Sequence, residues 1–280
     1  MAEITGIAGK KRGVLFTVSV LLLAISLVSL AIILSGQSAK SKRTVVGIMD
    51  IDRVSDQYSN MEGQLSKILS SRINVSSKGN EITFNESLPL PSQLAQDLDR
   101  FAAFESEYSD LNMSMELAEL ENATFMIMPN GIEVAHETGA FYIRPSDTPE
   151  SAGAVQHYDL NITYPAASVD NAVWQSISYS SNGSADAVWV HVRVRDASFA
   201  FMNDFYATLD KYSNSYLNIT QGGVQVGFVQ FSSPAAAQVN YSGNIGLKAS
   251  IGLANQAHVE ANDTISVLAS ANRTGRVRIA

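Results

Sequence analysis

Hydrophobic patterning divides the chain into three regimes. The first is aperiodic: residues 14–35, VLFTVSVLLLAISLVSLAIILS, carry no charge and no proline over 22 positions. At about 1.5 Å per residue they form a helix of roughly 33 Å, matching a bilayer core of about 30 Å. A secretory signal has an apolar core of about 7–15 residues before a small-x-small cleavage site. Here the run is longer, and Gln37-Ser38-Ala39 is a poor site. A helix lying on a soluble core needs a polar stripe, and this one has none. The expectation is a transmembrane helix at 14–35, preceded by a tail at 1–13.

The second regime, 44–121, has helical periodicity. Ile51, Val54, Tyr58, Met61, Leu65 and Ile68 are spaced 3, 4, 3, 4 and 3 apart. That is a helix-pairing seam of about two and a half heptads, weakened at Gly63 by about 1 kcal/mol relative to alanine. Two partners fit it: a second copy in a coiled-coil stalk, or the chain's own domain. GNEITFNESLPLP (79–91) reads as a short strand or extended linker. A second amphipathic helix is expected over 92–121, with Leu94, Leu98, Phe101, Tyr108 and Met115 on one seam and Phe104 and Leu111 beside it. Two such helices predict an antiparallel helical hairpin or stalk.

From residue 122 to 280 the period becomes two. ATFMIMPNGIEVAH places apolar strands around Pro129-Asn130-Gly131, a hairpin signal. Further strands recur every 8–14 residues between Gly, Asn and Ser turns, the pattern of an antiparallel sandwich or barrel. Within it, FAFMNDFYATLDKY (199–212) predicts one short helix through Phe201, Phe205, Leu209 and Tyr212. The expected fold class is therefore α+β: an N-terminal transmembrane helix, two amphipathic helices and a C-terminal antiparallel β-sandwich-like domain.

Charge is uneven. The net is −8 overall, but from Thr44 onward 13 basic residues face 26 acidic ones, a net of −13. Such a surface repels phosphate backbones, so no nucleic-acid partner is expected. There is no cysteine, which excludes disulfides and thiolate zinc sites. Basic residues flank the span equally, with Lys10, Lys11 and Arg12 before it and Lys40, Lys42 and Arg43 after it, so positive-inside counting sets no direction.

Sequons set it instead. Asn-x-Ser/Thr begins at Asn74, Asn85, Asn112, Asn122, Asn161, Asn182, Asn218, Asn240, Asn262 and Asn272. With 18 Asn and 47 Ser plus Thr in 280 residues, about three are expected by chance. All ten follow the span. This predicts a plasma-membrane protein with its N-terminus inside and a glycosylated extracellular domain. Sequons without cysteine point to an archaeal cell surface.

No catalytic constellation is legible: there is no G-x-S-x-G, H-E-x-x-H or P-loop. His136, His157, His191 and His258 stand apart in sequence. Asp50 and Asp52 open a helix, where acids favour the dipole, and the acidic face of 92–121 lacks EF-hand spacing. No enzyme activity, metal or cofactor is expected. In VWVHVRVR, Trp189, His191, Arg193 and Arg195 share one strand face, suited to a glycan or carboxylate.

The basic KKRG ahead of an unbroken apolar helix, together with a sequon-rich β domain, resembles archaeal type IV pilin-like surface proteins. The resemblance covers the first 36 residues and the overall organisation. It implies cleavage at Gly13-Val14 and packing of apolar helices into a filament. Two features depart from that pattern: Val18 stands where pilins commonly have Glu, and Lys40, Lys42 and Arg43 lie just below the apolar run. The expected role is a membrane-anchored, glycosylated structural or adhesion protein. Its partners would be the lipid bilayer, a second copy or filament through the N-terminal helices, and a surface glycan or protein. The alternatives are a filament subunit and, third, a membrane-tethered enzyme or binding module.

Overall fold

The computed structural model describes residues 5–70, 73–90, 93–108, 112–181, 183–268 and 272–279. The elements are α1 (Thr5–Ser70), β1 (Asn74–Lys78), β2 (Glu81–Leu88), α2 (Gln93–Tyr108), β3 (Asn112–Glu116), α3 (Ala118–Glu121), β4 (Phe125–Met128), β5 (Ile132–Glu137), β6 (Ala140–Pro145) and α4 (Pro149–Ala154). The chain continues through β7 (Val155–Tyr164), β8 (Asn171–Ser176), β9 (Ala187–Asp196), β10 (Met202–Asp210), β11 (Ser215–Gln221), β12 (Val224–Ser232), β13 (Ala236–Tyr241), β14 (Ile245–Leu253), β15 (His258–Leu268) and β16 (Asn272–Arg278). The molecule is α+β and dominated by antiparallel sheet.

The first sheet has strand order β1-β2-β14-β7-β9-β10; the second runs β16-β15-β4-β5-β6-β13-β12-β11-β8, with β3 also on β15. Among the described residues every strand pair is antiparallel except β7–β9. The chain leaves the first sheet after β7 to form β8 in the second and returns as β9, so the two strands run the same way. The sheets face each other across one core. Phe84 of β2 meets Phe125 of β4 and Phe141 of β6 with ring centroids 6.3 and 6.0 Å apart. The buried Tyr158 of β7 donates its hydroxyl to Ala235 O at 2.6 Å. Gly227 of β12 lets the sheets close: a Cβ there would run into the Tyr164 hydroxyl and lie 2.8 Å from Asn240 O.

α1 is one helix of 66 residues. Its C-terminal part lies on the chain's own domain, against β1, α2, β15 and β16. Val54, Tyr58, Met61, Leu65 and Leu69 are buried there. Of the expected seam, Ile68 packs at the margin and Ile51 stays 55% exposed. Tyr58 Oη reaches Arg276 O at 3.5 Å, and Gln57 donates to Glu105 at 3.3 Å. At about 1.5–3 kcal/mol per buried large side chain, this stripe fixes the helix to the head.

Three expectations are corrected. First, 44–121 is not a helical stalk apart from the β domain. The hairpin β1–β2 turns at Gly79, whose φ is +66°, and β2 pairs along its length with β14. The alternation of Ile82, Phe84, Glu86 and Leu88 puts all four inward. Second, the helix expected over 92–121 ends at Tyr108, and β3 pairs with β15. From Asn112 the apolar residues Met113, Met115 and Leu117 alternate at period two, and an open strand edge satisfies their backbone. Leu111 lies outside the described residues, as does the side chain of Tyr108. Third, 199–212 forms β10 rather than a helix, paired with β9 from Met202 to Asp210. The spacing of four linking Phe201, Phe205 and Leu209 fits a helix but is also an even number, so it fits one face of a strand.

Among the described residues no helix is long and apolar enough to cross a membrane. Of the expected span at 14–35, the side chains of 14–24 lie outside the described residues, as do those of Gly13 and Val14. From Ile25 to Leu34, seven large apolar side chains are 52–67% exposed.

Candidate functional site on the outer face of the first sheet

Register across β2, β14, β7, β9 and β10 aligns the outward side chains in rows. One row is Thr83, Ser250, Asp159, His191 and Tyr206; the next is Asn85, Lys248, Asn161, Arg193 and Asp204; the third is Ser87, Gly246, Thr163, Arg195 and Met202. Glu81, Gly252, His157, Trp189 and Thr208 flank the first. Inward positions of the same strands, such as Val190, Val192 and Val194, are fully buried. Period-two alternation thus gathers polar chemistry from five separate segments onto one face.

A groove of about 470 Å³ opens on this face. Its lining includes Gly246 and Leu247 together with Asn85, Asp159, Asn161, Thr163, Arg193, Arg195 and Lys248. A glycine in the middle of the third row removes one side chain from the surface and leaves the depression.

Hydrogen bonds order its margin. His191 Nδ1 lies 3.1 Å from Asp159 Oδ1, and Nε2 lies 2.8 Å from Asp204 Oδ1. Both ring nitrogens face carboxylate oxygens. The ring stacks on Tyr206 at 4.5 Å and 4°. Arg193 Nε donates to Asp204 Oδ1 at 2.7 Å. That bond, joined by the one from His191, holds the Asp204 carboxyl below its ordinary range and raises Arg193. Asn161 donates to Asp159 Oδ1 at 2.9 Å. Arg195 Nε donates to Thr163 Oγ1 at 3.0 Å, and its guanidinium sits 4.8 Å from the Phe199 ring centroid.

Charge pairing in the groove is asymmetric. Asp204 is matched by Arg193, while Asp159 accepts a hydrogen bond from Asn161 and lies against the His191 ring. Among the described residues neither Arg195 nor Lys248 has an acidic partner. Trp189, Phe199, Met202 and Tyr206 remain exposed on β9, β10 and the turn between them. Two unpaired cations, with Arg195 against the exposed Phe199 ring, suit an anion that also offers a flat apolar face.

The remaining histidines are not isolated. His136 and Glu86, on opposite sheets, meet inside the head at 2.5 Å between Nε2 and Oε2, with His136 Nδ1 on Ala123 O at 2.6 Å. Glu86 Oε1 is buried without a partner among the described residues. His258 Nε2 meets Glu260 at 2.7 Å. The His157 ring lies over Gly252, where a Cβ would run into it. Only the His258–Glu260 spacing of two was visible in one dimension; the other partners are 13 to 50 residues away. Among the described residues no cluster of three or more His, Asp or Glu is placed to hold a metal. Asp263 instead caps the backbone N–H groups of Glu119 and Leu120 at 3.0 and 2.6 Å.

Eight sequons begin on strands: Asn74, Asn85, Asn112, Asn161, Asn218, Asn240, Asn262 and Asn272. Asn122 follows α3 and donates to Ala118 O at 2.8 Å. Asn182 lies outside the described residues, as do the side chains of Asn112, Asn262 and Asn272. Asn74 and Asn85 are exposed. Asn240 Nδ2 is buried without a partner among the described residues, and Asn218 Oδ1 likewise. No family model, no curated protein and no solved structure matches this chain.

Proposed function

We propose that the chain is a membrane-anchored surface protein whose helix α1 holds a glycosylated β-rich head outside the cell, in a structural or adhesive role. One observation carries the reading. From Ile25 to Leu34 the large apolar side chains are exposed in every direction, since successive residues turn about 100° around the axis. Water disfavours so broad an apolar surface, whereas lipid accepts it. The same apolar run continues back to Val14 without a charge. The exposed Asn74 and Asn85 supply accessible acceptors on the head. Alkaline carbonate extraction of native membranes tests the anchor: the protein stays in the pellet and only detergent releases it. Release by carbonate alone contradicts the reading.

A filament subunit is the second reading, favoured by the continuity of α1. The apolar arm and the docked part form one rod, and Ile48, Met49 and Ile51 extend its exposed apolar surface towards the head. The mature N-terminus separates the two readings. Val14 supports processing and assembly; Met1 or Ala2 supports the permanent anchor.

A further inference from the structure

We propose that the groove on the first sheet binds an acidic saccharide, a chain of sugar units bearing carboxylates. Recognition follows from the unmatched cations. Arg195 and Lys248 face the same cavity, and neither has an acidic partner among the described residues. They stand in a region whose net charge is −13 from Thr44 onward, yet neither forms an ion pair among the described residues. Among the described residues Arg195 is held only by Thr163, through Nε, so both terminal nitrogens can make a bidentate carboxylate contact. Asp159 lines the same groove, and counted with Asp204 the two carboxylates still leave Arg193, Arg195 and Lys248 one positive charge in excess.

The rings select the rest of the ligand. Trp189 and Arg195 are six positions apart on β9, about 20 Å at ~3.3 Å per residue. Tyr206, stacked on His191, lies between them in the rows. A ligand spanning this face meets cations at one end and aromatic planes at the other, which fits an oligosaccharide better than a small anion. Asn85, Asn161 and Thr163 in the groove lining, with Ser87 beside Gly246, offer neutral hydrogen-bonding groups for hydroxyls.

The saccharide has two sources: a glycan carried by Asn85 itself, exposed at the groove's rim, or acidic polysaccharide from the surroundings. The first rests on the glycosylated head proposed above; the binding chemistry does not. The test uses the full chain in detergent, produced in a host without N-glycosylation, titrated by calorimetry with trigalacturonate and with maltotriose. Trigalacturonate is expected to bind saturably, more weakly as salt rises, while maltotriose does not. Arg195→Gln with Lys248→Gln lowers the affinity about tenfold or more, and Lys248→Arg retains it. Equal binding of both sugars, no binding of trigalacturonate, or an unchanged affinity in the correctly folded double variant overturns the proposal. A parallel arm on natively produced protein identifies the source. Trigalacturonate binding that appears only in Asn85→Gln marks the chain's own glycan as occupant, and equal binding in wild type and Asn85→Gln marks an external one.

Discussion

Leu30 and Leu65 stand on one helix, about ten turns apart, in opposite surroundings: the first is 52% exposed and the second fully buried. Both stretches are rich in large apolar residues, so apolar content does not separate them. The polar residues do. Around Leu65, Asp56, Gln57, Ser59, Asn60, Glu62, Gln64, Ser66 and Lys67 fill all but one stripe, and that stripe docks on β15, β16 and α2. From Ile25 to Leu34 only Ser26, Ser29 and small residues interrupt the apolar surface, and no single neighbouring element could cover it. A stripe calls for a protein partner, and an all-round apolar surface calls for lipid or a ring of other helices.

Substitution should separate these halves most sharply at the docked stripe. Leu65→Ala leaves a cavity under the helix and is expected to cost about 2–5 kcal/mol, read as a lower urea midpoint of the head. Leu30→Arg acts on the other half. It opposes insertion by about 2.5–3.5 kcal/mol, moving protein from membrane to soluble fractions while the urea midpoint stays fixed. A lower midpoint for Leu30→Arg would mean that the arm packs on the head. Inside the head, Gly227→Ala forces a methyl against Tyr164 and should cost about 1–3 kcal/mol, with no change in membrane partition.

Acid sharpens the contrast further, because the docked stripe is apolar while the outer face of the first sheet carries Asp204 beside the groove. Arg193 and His191 depress the Asp204 carboxyl in the folded head. Its stabilising effect is therefore complete above the unfolded aspartate value of about 3.9 and is lost as pH falls through the lower folded value. Asp204→Asn is expected to lower stability at neutral pH and flatten its decline in acid, measured by urea midpoints from pH 7 to 3. The smallest effect belongs to Ile51→Ala. This residue continues the seam in sequence but stays exposed, so its change should lie within about 0.5 kcal/mol.

The seam of α1 and the β-rich remainder were legible because periodicity reports burial directly, whereas the continuity of α1 through both the apolar run and the seam was not. Strand identity was harder where even spacings serve both patterns, as with Phe205 and Leu209. β3 was hidden because its strand character depends on an edge of β15 some 150 residues away. The Trp189, Arg193 and Arg195 face was legible as an alternation. Lys248, Asn161 and Gly246 were not, because only register across β14, β7 and β9 brings them beside it. Strand geometry also reframes the sequon excess. In Asn85-Glu86-Ser87 and Asn161-Ile162-Thr163 the outer residues face outward and the middle one is buried. Polar-x-polar triplets are what outward strand faces require, so alternation itself raises the number of such motifs.

The central claim is that α1 passes from lipid to the head as one helix, with the head outside. Because the chain has no cysteine, a single introduced thiol reports its own surroundings. Ile33→Cys and Ile48→Cys occupy positions of nearly equal exposure, 56% and 53%, about 22 Å apart along the helix. In intact cells treated with a membrane-impermeant maleimide, Ile48→Cys should label at once and Ile33→Cys only after detergent. Equal labelling of both positions without detergent would contradict the account.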